Sequence, residues 1–212
     1  MKYPRTYHLP WSPGVSNDDK VLHDLSSLLN TTLVVTVKMD GSNAGISRPG
    51  VQSRSGDRPV HDSFDMLKAL HAEKYIMLPP DGILFGEWLY ARHSIPYNKL
   101  PNYFMGFALY YEGPDVWMSW NKVKRYCEFI GVPTVPIVCF EKFDSLEQME
   151  RTLTDIAERY IKLGQEGIVV RRTGPFNTEQ FSQCVAKYVR KEHVKTDKHW
   201  SRNWIPNKLN ED

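Results

Sequence analysis

The sequence predicts an α+β protein with largely antiparallel sheets flanked by helices. Two observations carry this. Short β-branched or aromatic runs bounded by Gly, Pro or polar residues outnumber the helical patterns, and most follow one another without the regular strand–helix alternation of a doubly wound sheet. A third concerns size. With 212 residues, 41% hydrophobic and 25% charged, the chain has the composition of an ordinary globular protein and enough length for a real core. Neither a repeat nor a convincing linker divides it, so residues 1–212 are expected to form a single domain, with 191–212 as a basic C-terminal tail.

The first strong element is the run Leu33–Lys38 (LVVTVK), followed at once by the glycine-containing polar turn Met39-Asp40-Gly41-Ser42-Asn43. A weak helical pattern covers Phe64 to Tyr75. Strands are predicted at Ile83–Leu89, Tyr103–Tyr111, Thr134–Phe140, Gly167–Arg172 and Cys184–Val189. A helix over Ser119–Ile130 turns Val123, Tyr126, Cys127 and Ile130 inward and stops at Gly131. The clearest helix starts at Ser145, whose pairing with Gln148 makes a capping box. It runs through Leu146, Met149, Leu153, Ile156 and Tyr160 to a stop at Gly164. Residues 195–212, rich in Lys, Asn, Trp and Pro, read as irregular.

The formal net charge of +2 is unevenly distributed: residues 185–212 hold seven Lys/Arg against four Asp/Glu, and the rest holds twenty against twenty-one. A modest basic run is ordinarily a solvated face, and acquires meaning only beside other evidence of nucleic-acid chemistry. Cys127, Cys139 and Cys184 are widely spaced among apolar residues, without a CxxC pair, and read as buried free thiols. No apolar run is long enough to cross a membrane and the N-terminus lacks a signal-peptide core, so a cytoplasmic protein with no membrane partner is expected.

A lysine at the end of an apolar strand is placed for partial desolvation, which disfavours its ammonium form and frees the amine for attack. Lys38 stands in that position, although an isolated lysine before a turn is ordinarily a solvated residue. Its surroundings change the reading. Lys38-Met39-Asp40-Gly41 resembles the KxDG nucleophile motif of covalent lysyl-nucleotidyltransferases, and four further segments follow in that superfamily's order. Phe85-Gly86-Glu87-Trp88 resembles the motif whose glutamate contacts the ribose. Tyr103-Phe104-Met105-Gly106-Phe107 resembles the segment whose aromatic ring stacks on the purine. Glu166-Gly167-Ile168-Val169-Val170 is similar to the motif whose glutamate engages the metal, and Ala186-Lys187-Tyr188-Val189-Arg190 to the lysine motif on the α-phosphate. Asn43, in KMDGSN, and Arg54, in Ser53-Arg54-Ser55-Gly56, bring the pattern closest to the ATP-dependent RNA ligases, and the opening Tyr7-His8-Leu9-Pro10-Trp11-Ser12-Pro13-Gly14, with the stretch from Lys187-Tyr188-Val189-Arg190 through His193-Val194 to His199-Trp200, resembles small bacterial and phage ligase-like proteins.

The resemblance implies an ATP-grasp-like ligase nucleotidyltransferase domain. Lys38, Asp40 and Lys187 are its implied catalytic residues. Lys38, Asn43, Arg54, Glu87, Phe107, Glu166, Lys187 and Arg190 would contact the nucleotide. Glu166 and Glu87 would hold Mg²⁺ or Mn²⁺. ATP would leave AMP covalently on Lys38, and 3′-hydroxyl and 5′-phosphate ends of RNA, including nicked duplexes, would be sealed, with an end-healing kinase/phosphatase as a further partner. Outside such a set, Glu87 and Glu166 would read as solvated carboxylates and Phe107 as core. Three departures stand out: Val37 precedes the lysine where an acidic residue is common, Ala108 follows Phe107 where aspartate is common, and the last motif, which often has two lysines separated by one residue, has only Lys187, with Val185 two positions before it and Val189 two positions after. Only about 22 residues follow Arg190, so no OB domain is expected, and Lys191, Lys195, Lys198 and Arg202 are expected to contact phosphates with Trp200 or Trp204 available to stack on a base. The rival readings are a DNA nick ligase, a GTP-dependent capping-type guanylyltransferase, and a nucleotide- or RNA-end-binding module that does not seal.

Overall fold

The computed structural model describes residues 1–191 and 204–210. The expected contacts from Lys195, Lys198, Trp200 and Arg202 lie outside them. In chain order the elements are β1 (Tyr7–His8), β2 (Thr32–Lys38), β3 (Ser42–Ser47), β4 (Gly50–Ser53), α1 (Asp65–Lys74), β5 (Gly82–Trp88), β6 (Phe104–Tyr111), β7 (Val116–Trp117), α2 (Trp120–Ile130), β8 (Ile137–Lys142), α3 (Leu146–Lys162), β9 (Gly167–Arg172), α4 (Phe181–Cys184) and β10 (Val185–Val189). They form a mixed α+β structure with two five-stranded sheets in which nearly every pairing is antiparallel; β1 runs parallel to β10. Among the described residues no helix is long and apolar enough to cross a membrane.

The chain divides into two compact units. Unit 1 contains Met1–Tyr3, Asp40–Val135 and residues 204–210; unit 2 contains Pro4–Met39 and residues 136–191. Each holds one sheet.

In unit 2 the strand order is β1-β10-β9-β2-β8. The Val- and Leu-rich run of β2 is buried along its interior because it is flanked by strands on both sides. One face of the sheet, carrying Leu33, Val35, Ile168, Val170, Ala186 and Tyr188, packs on Met149, Leu153 and Ala157 of α3. Ser145 caps that helix by accepting the Gln148 N–H at 3.2 Å, while the Gln148 side chain reaches back to the Asp144 N–H rather than to Ser145 itself. The helix begins and ends where its capping residues predict. Leu146, however, lies on the exposed side.

The predicted strand Thr134–Phe140 divides at Pro136. Proline has no N–H to give a ladder, so Val135 bonds to Gly106 in unit 1, while Pro136 offers only its carbonyl to Val37 and β8 starts one residue later in unit 2.

In unit 1 the order is β4-β3-β5-β6-β7. Helix α2 lies against β6, burying Trp120, Val123, Cys127 and Ile130, and Gly131 ends it at φ +68°. Burial pushes the Cys127 thiol up to about 12, with the Glu128 charge adding to the shift, so it is an inert packing residue. The three cysteines are free, Cys127 and Cys184 buried and Cys139 half-buried.

Candidate active site

Pleat geometry decides which side chains of unit 2 can meet. Residues directly opposite one another in a ladder share a face, and Lys187 pairs with Val169, which in turn pairs with Thr36. Lys38, two residues beyond Thr36 and opposite Gly167, therefore emerges on the same face as Lys187, away from the α3 core. Glu166 stands just ahead of β9 and its carboxylate Oε2 accepts from Lys38 Nζ at 2.5 Å; the two side chains are 6% and 24% exposed. Gly167 is a backbone requirement of this arrangement. Its φ is +155°, and a Cβ there would lie within 1.9 Å of the Tyr188 carbonyl oxygen on β10.

Lys187 is largely buried, 18% exposed, with Nζ 3.4 Å from Asp19 Oδ1. Burial holds its pKa below that of an ordinary lysine. Asp19 opposes that shift and the nearby Lys38 charge adds to it. The Asp19 carboxyl is held far below the usual carboxylate range: burial alone would raise it, but hydrogen bonds from the Ser16 hydroxyl and N–H, with the Lys187 and His8 charges, outweigh that effect. Arg190 donates its backbone N–H to the Glu166 carbonyl at 3.1 Å, and its Nε is buried without a hydrogen-bond partner among the described residues.

Unit 1 carries the other candidates. Asp40 Oδ2 accepts from the Ser94 N–H at 2.8 Å, the Ser94 hydroxyl at 2.6 Å and the Ile95 N–H at 2.8 Å. Its carboxylate therefore anchors a loop. The Asp40 N–H donates to the Tyr97 hydroxyl at 3.0 Å, and the Gly41 N–H to Glu87 Oε1 at 3.0 Å. A Cβ at Gly41 would come within 2.5 Å of the Trp88 carbonyl, which explains the glycine. Asn43 on β3 is directly opposite Glu87 on β5, and its Oδ1 is buried without a hydrogen-bond partner among the described residues. Phe107 is the additional residue at a bulge where β6 slips against β5 between Phe85 and Gly86; bulges re-aim side chains in this way. Its ring meets Tyr3 edge-on at 5.3 Å. Arg54 stands exposed in the turn after β4.

Sequence reasoning missed the supports of both groups. In unit 2 these are His8, Ser12, Ser16 and Asp19. In unit 1 they are Ser94, Tyr97 and Asn207. Asn207, 4% exposed, accepts the Tyr97 N–H and gives its side-chain amide to the Leu89 carbonyl, fixing the segment that grips Asp40. Trp204 packs on Tyr90 at 5.2 Å and His61 at 6.3 Å, a contact with the protein's own rings. Most of these contacts are remote in sequence: Asp19 is 168 residues from Lys187, Ser12 177 from Val189, and Ser94 and Tyr97 are 54 and 57 from Asp40, whereas Ser16 holds Asp19 from three residues away. Among the described residues no group of three or more His, Cys, Asp or Glu is gathered as a metal site.

The fold recurs in solved structures. The fold aligns with an archaeal ATP-dependent RNA ligase at a TM-score of 0.62 and 17% identity, over 89% of this chain and 48% of that one. It aligns with a Naegleria gruberi RNA ligase variant solved with ATP and Mn at 0.61 and 16%, over 95% and 61%, and with a putative ATP-dependent DNA ligase from Aquifex aeolicus at 0.57 and 19%, over 89% and 49%. The chain thus spans about half to three-fifths of the length of these relatives. A search of curated proteins found no match. The RNA ligase family model matches residues 31–189, three-quarters of the sequence, and the chain belongs to the RNA ligase family.

Proposed function

We propose that this protein is an ATP-dependent RNA ligase that seals 3′-hydroxyl and 5′-phosphate ends through AMP carried on Lys38. The observation that carries the reading is the pairing of Lys38 Nζ with the buried carboxylate of Glu166 on the face that also presents Lys187. A strand-end amine with an adjacent carboxylate and a second cation is the inventory for attack on a phosphate.

The proposed sequence of bonds follows from those groups. Glu166 Oε2 holds and orients Lys38 Nζ; once the ammonium has released a proton to water, the freed amine attacks the α-phosphorus of ATP. A phosphorus–nitrogen bond forms, the bond to the β-phosphate oxygen breaks, and pyrophosphate leaves. Lys187 and Arg190 neutralise charge on the phosphate oxygens. A 5′-phosphate oxygen of the RNA then displaces Lys38, giving an AMP-capped end, and the 3′-hydroxyl attacks that end and expels AMP. By resemblance, Asn43, Glu87 and Phe107 contact the nucleoside, Arg54 the nucleotide, and Asp40 holds its turn.

Mg²⁺ or Mn²⁺ suits carboxylate oxygens completed by phosphate oxygens, since such ions are commonly bound through one or two carboxylates plus substrate. Glu166 and Glu87 would hold it, and it would offset phosphate charge. Naegleria gruberi RNA ligase variants were solved with ATP and Mn and with AMP and Mn, which supports this choice.

We further read the fold as the ATP-grasp-like ligase type and the chain as acting as one adenylyltransferase domain with a basic tail at 191–212. RNA is the substrate class, and an end-healing kinase/phosphatase would prepare its termini. The test is incubation of purified protein, stripped of bound AMP, with α-labelled ATP or GTP and a divalent metal, followed by a denaturing gel. Label from ATP that persists on wild type and vanishes in Lys38→Ala is the expected result. Label from GTP alone would move the assignment to a capping-type guanylyltransferase, and label from neither would reduce the protein to a binding module.

A further inference from the structure

The segment before residue 31 lies outside the region matched to the family, yet it fastens Lys187 in two ways. Its backbone does so first. Strand β1 lies parallel to β10 with His8 opposite Lys187, and the Leu9 N–H donates to the Lys187 carbonyl at 2.8 Å. Farther along, the Gly14 N–H donates to the Val189 carbonyl at 2.8 Å, with Gly14 so close to β10 that a Cβ would meet the Arg190 carbonyl at 2.4 Å.

The side chains form the second fastening. Ser12 Oγ accepts the Val189 N–H at 2.9 Å and lies 2.9 Å from His8 Nδ1. His8 is fully buried, and its Nε2 is 3.4 Å from Asp19 Oδ1, the same oxygen that faces Lys187 Nζ at 3.4 Å. The second carboxylate oxygen is committed to the Ser16 hydroxyl at 2.8 Å and the Ser16 N–H at 3.2 Å. His8 in turn grips the chain just after Asp19, giving its N–H to the Lys20 carbonyl and accepting the Leu22 N–H, both at 2.8 Å. Asp19 is thereby a fixed anion set beside a buried cation.

We propose that Asp19 is a positioning residue for Lys187, an acidic anchor supplied by the N-terminal segment that keeps the ammonium charged and aimed on the face it shares with Lys38. The inference rests on the lysyl-adenylate reading given above. Two features distinguish the anchor from a purely structural ion pair. At 3.4 Å, and with its carboxylate oxygen shared with His8, the contact is loose. An ammonium has three donors, so a phosphate oxygen can engage Lys187 without displacing Asp19. The lysine motif here has valine at positions 185 and 189, each separated from Lys187 by one residue, and the cation has Asp19 from elsewhere in the chain beside it.

The test is a double-mutant cycle on the rate of lysyl-AMP formation at saturating ATP, using Asp19→Asn, Asp19→Glu, Lys187→Ala and Asp19→Asn combined with Lys187→Ala, well below the melting temperature of each. Asp19→Asn is expected to slow the step about 10- to 100-fold, the scale of a misplaced catalytic group. Asp19→Glu should recover part of that rate, and Asp19→Asn should cost nothing further once Lys187 is gone. A rate for Asp19→Asn within about twofold of wild type, or equal losses in the presence and absence of Lys187, would overturn the proposal. An activity-free measurement separates its failure from that of the ligase reading: acylation of Lys187 by acetic anhydride at mildly alkaline pH, followed by peptide mass. Faster acylation in Asp19→Asn sustains the anchor even in a chain that takes no label from ATP, and unchanged acylation removes it.

Discussion

On the sheet of unit 2, the ionisable side chains Lys38, Glu166, Lys187 and Asp19 face one another, cation against carboxylate. In unit 1, by contrast, the carboxylates of Asp40 and Glu87 are committed to backbone N–H groups of the turn at Gly41 and the loop at Ser94–Ile95. The first arrangement sets charge against charge in two side-chain pairs, Lys38 with Glu166 and Lys187 with Asp19. The second is a scaffold, in which acidic residues fix the shape of the turn that follows Lys38. Residues of the same chemical type in neighbouring motifs thus perform different work, and their partners, rather than their identities, tell them apart.

The sharpest way to break the contrast is through unit 2's backbone. Gly167→Ala places a Cβ against the Tyr188 carbonyl in a strand buried on both sides, at a φ that L residues rarely adopt. Rigid backbone offers no cheap escape, so a loss of more than about 4 kcal/mol is expected. Equilibrium denaturation with urea would show it, and a near-neutral result would mean that β9 and β10 separate more readily than their ladder implies.

Next in size is the ion pair itself. Lys38→Met leaves the buried Glu166 carboxylate without its partner, and because the lysine is about a quarter exposed the cost is discounted to about 2–3 kcal/mol. Adding Glu166→Gln removes the stranded charge and should recover part of that stability. If the double variant is as unstable as the single one, the pair is not what couples these residues.

A smaller effect tests the scaffold. Asn207→Ala deletes two side-chain hydrogen bonds, to the Tyr97 N–H and the Leu89 carbonyl, in a buried site, for a cost of about 2 kcal/mol. Amide exchange should accelerate in residues 90–102, where Ser94, Ile95 and Tyr97 grip Asp40 and its turn. Unchanged protection there would assign the clamp to the aromatic packing of Trp204 and Tyr90 instead.

What the sequence makes legible follows from whether the determining contacts are local. β9 begins at a glycine and continues through a branched apolar run, and α3 is bounded by Ser145 and Gly164, so their limits can be read directly. β3, Ser-Asn-Ala-Gly-Ile-Ser, has little strand propensity, and its first two residues read as part of the turn after Lys38. It is a strand because β4 and β5 pair with it on both sides. Asn207 is legible only as a polar residue in an irregular stretch, because its partners at Leu89 and Tyr97 are 118 and 110 residues away. Lys38, Glu87, Phe107 and Glu166 were recognisable because each sits beside a strand end or a glycine, whereas Lys187 lies mid-strand in β10. Asp19 is flanked by Asp18 and Lys20 in what looks like a solvated turn, and its importance lies wholly in His8 and Lys187.

Asp19 also supplies the smallest and most conditional prediction. Its folded-state pKa lies below the ordinary value of 3.8. Below both values the carboxyl is protonated whether the chain is folded or not and contributes nothing. Above 3.8 it is ionised in both states, and the folded state keeps the full benefit. The contribution is therefore present at neutral pH and is lost as pH falls through 3.8 toward the depressed folded value. Asp19→Asn, which retains the shape but not the charge, is expected to lower stability at neutral pH by about 1 kcal/mol and to flatten the acid limb of the stability–pH curve. Thermal melts of both proteins across the acid range should therefore converge as pH falls. Parallel curves would show that Asp19 is held by shape alone, and the contrast between a charge-paired sheet and a scaffolding one would then rest on Lys38 and Glu166.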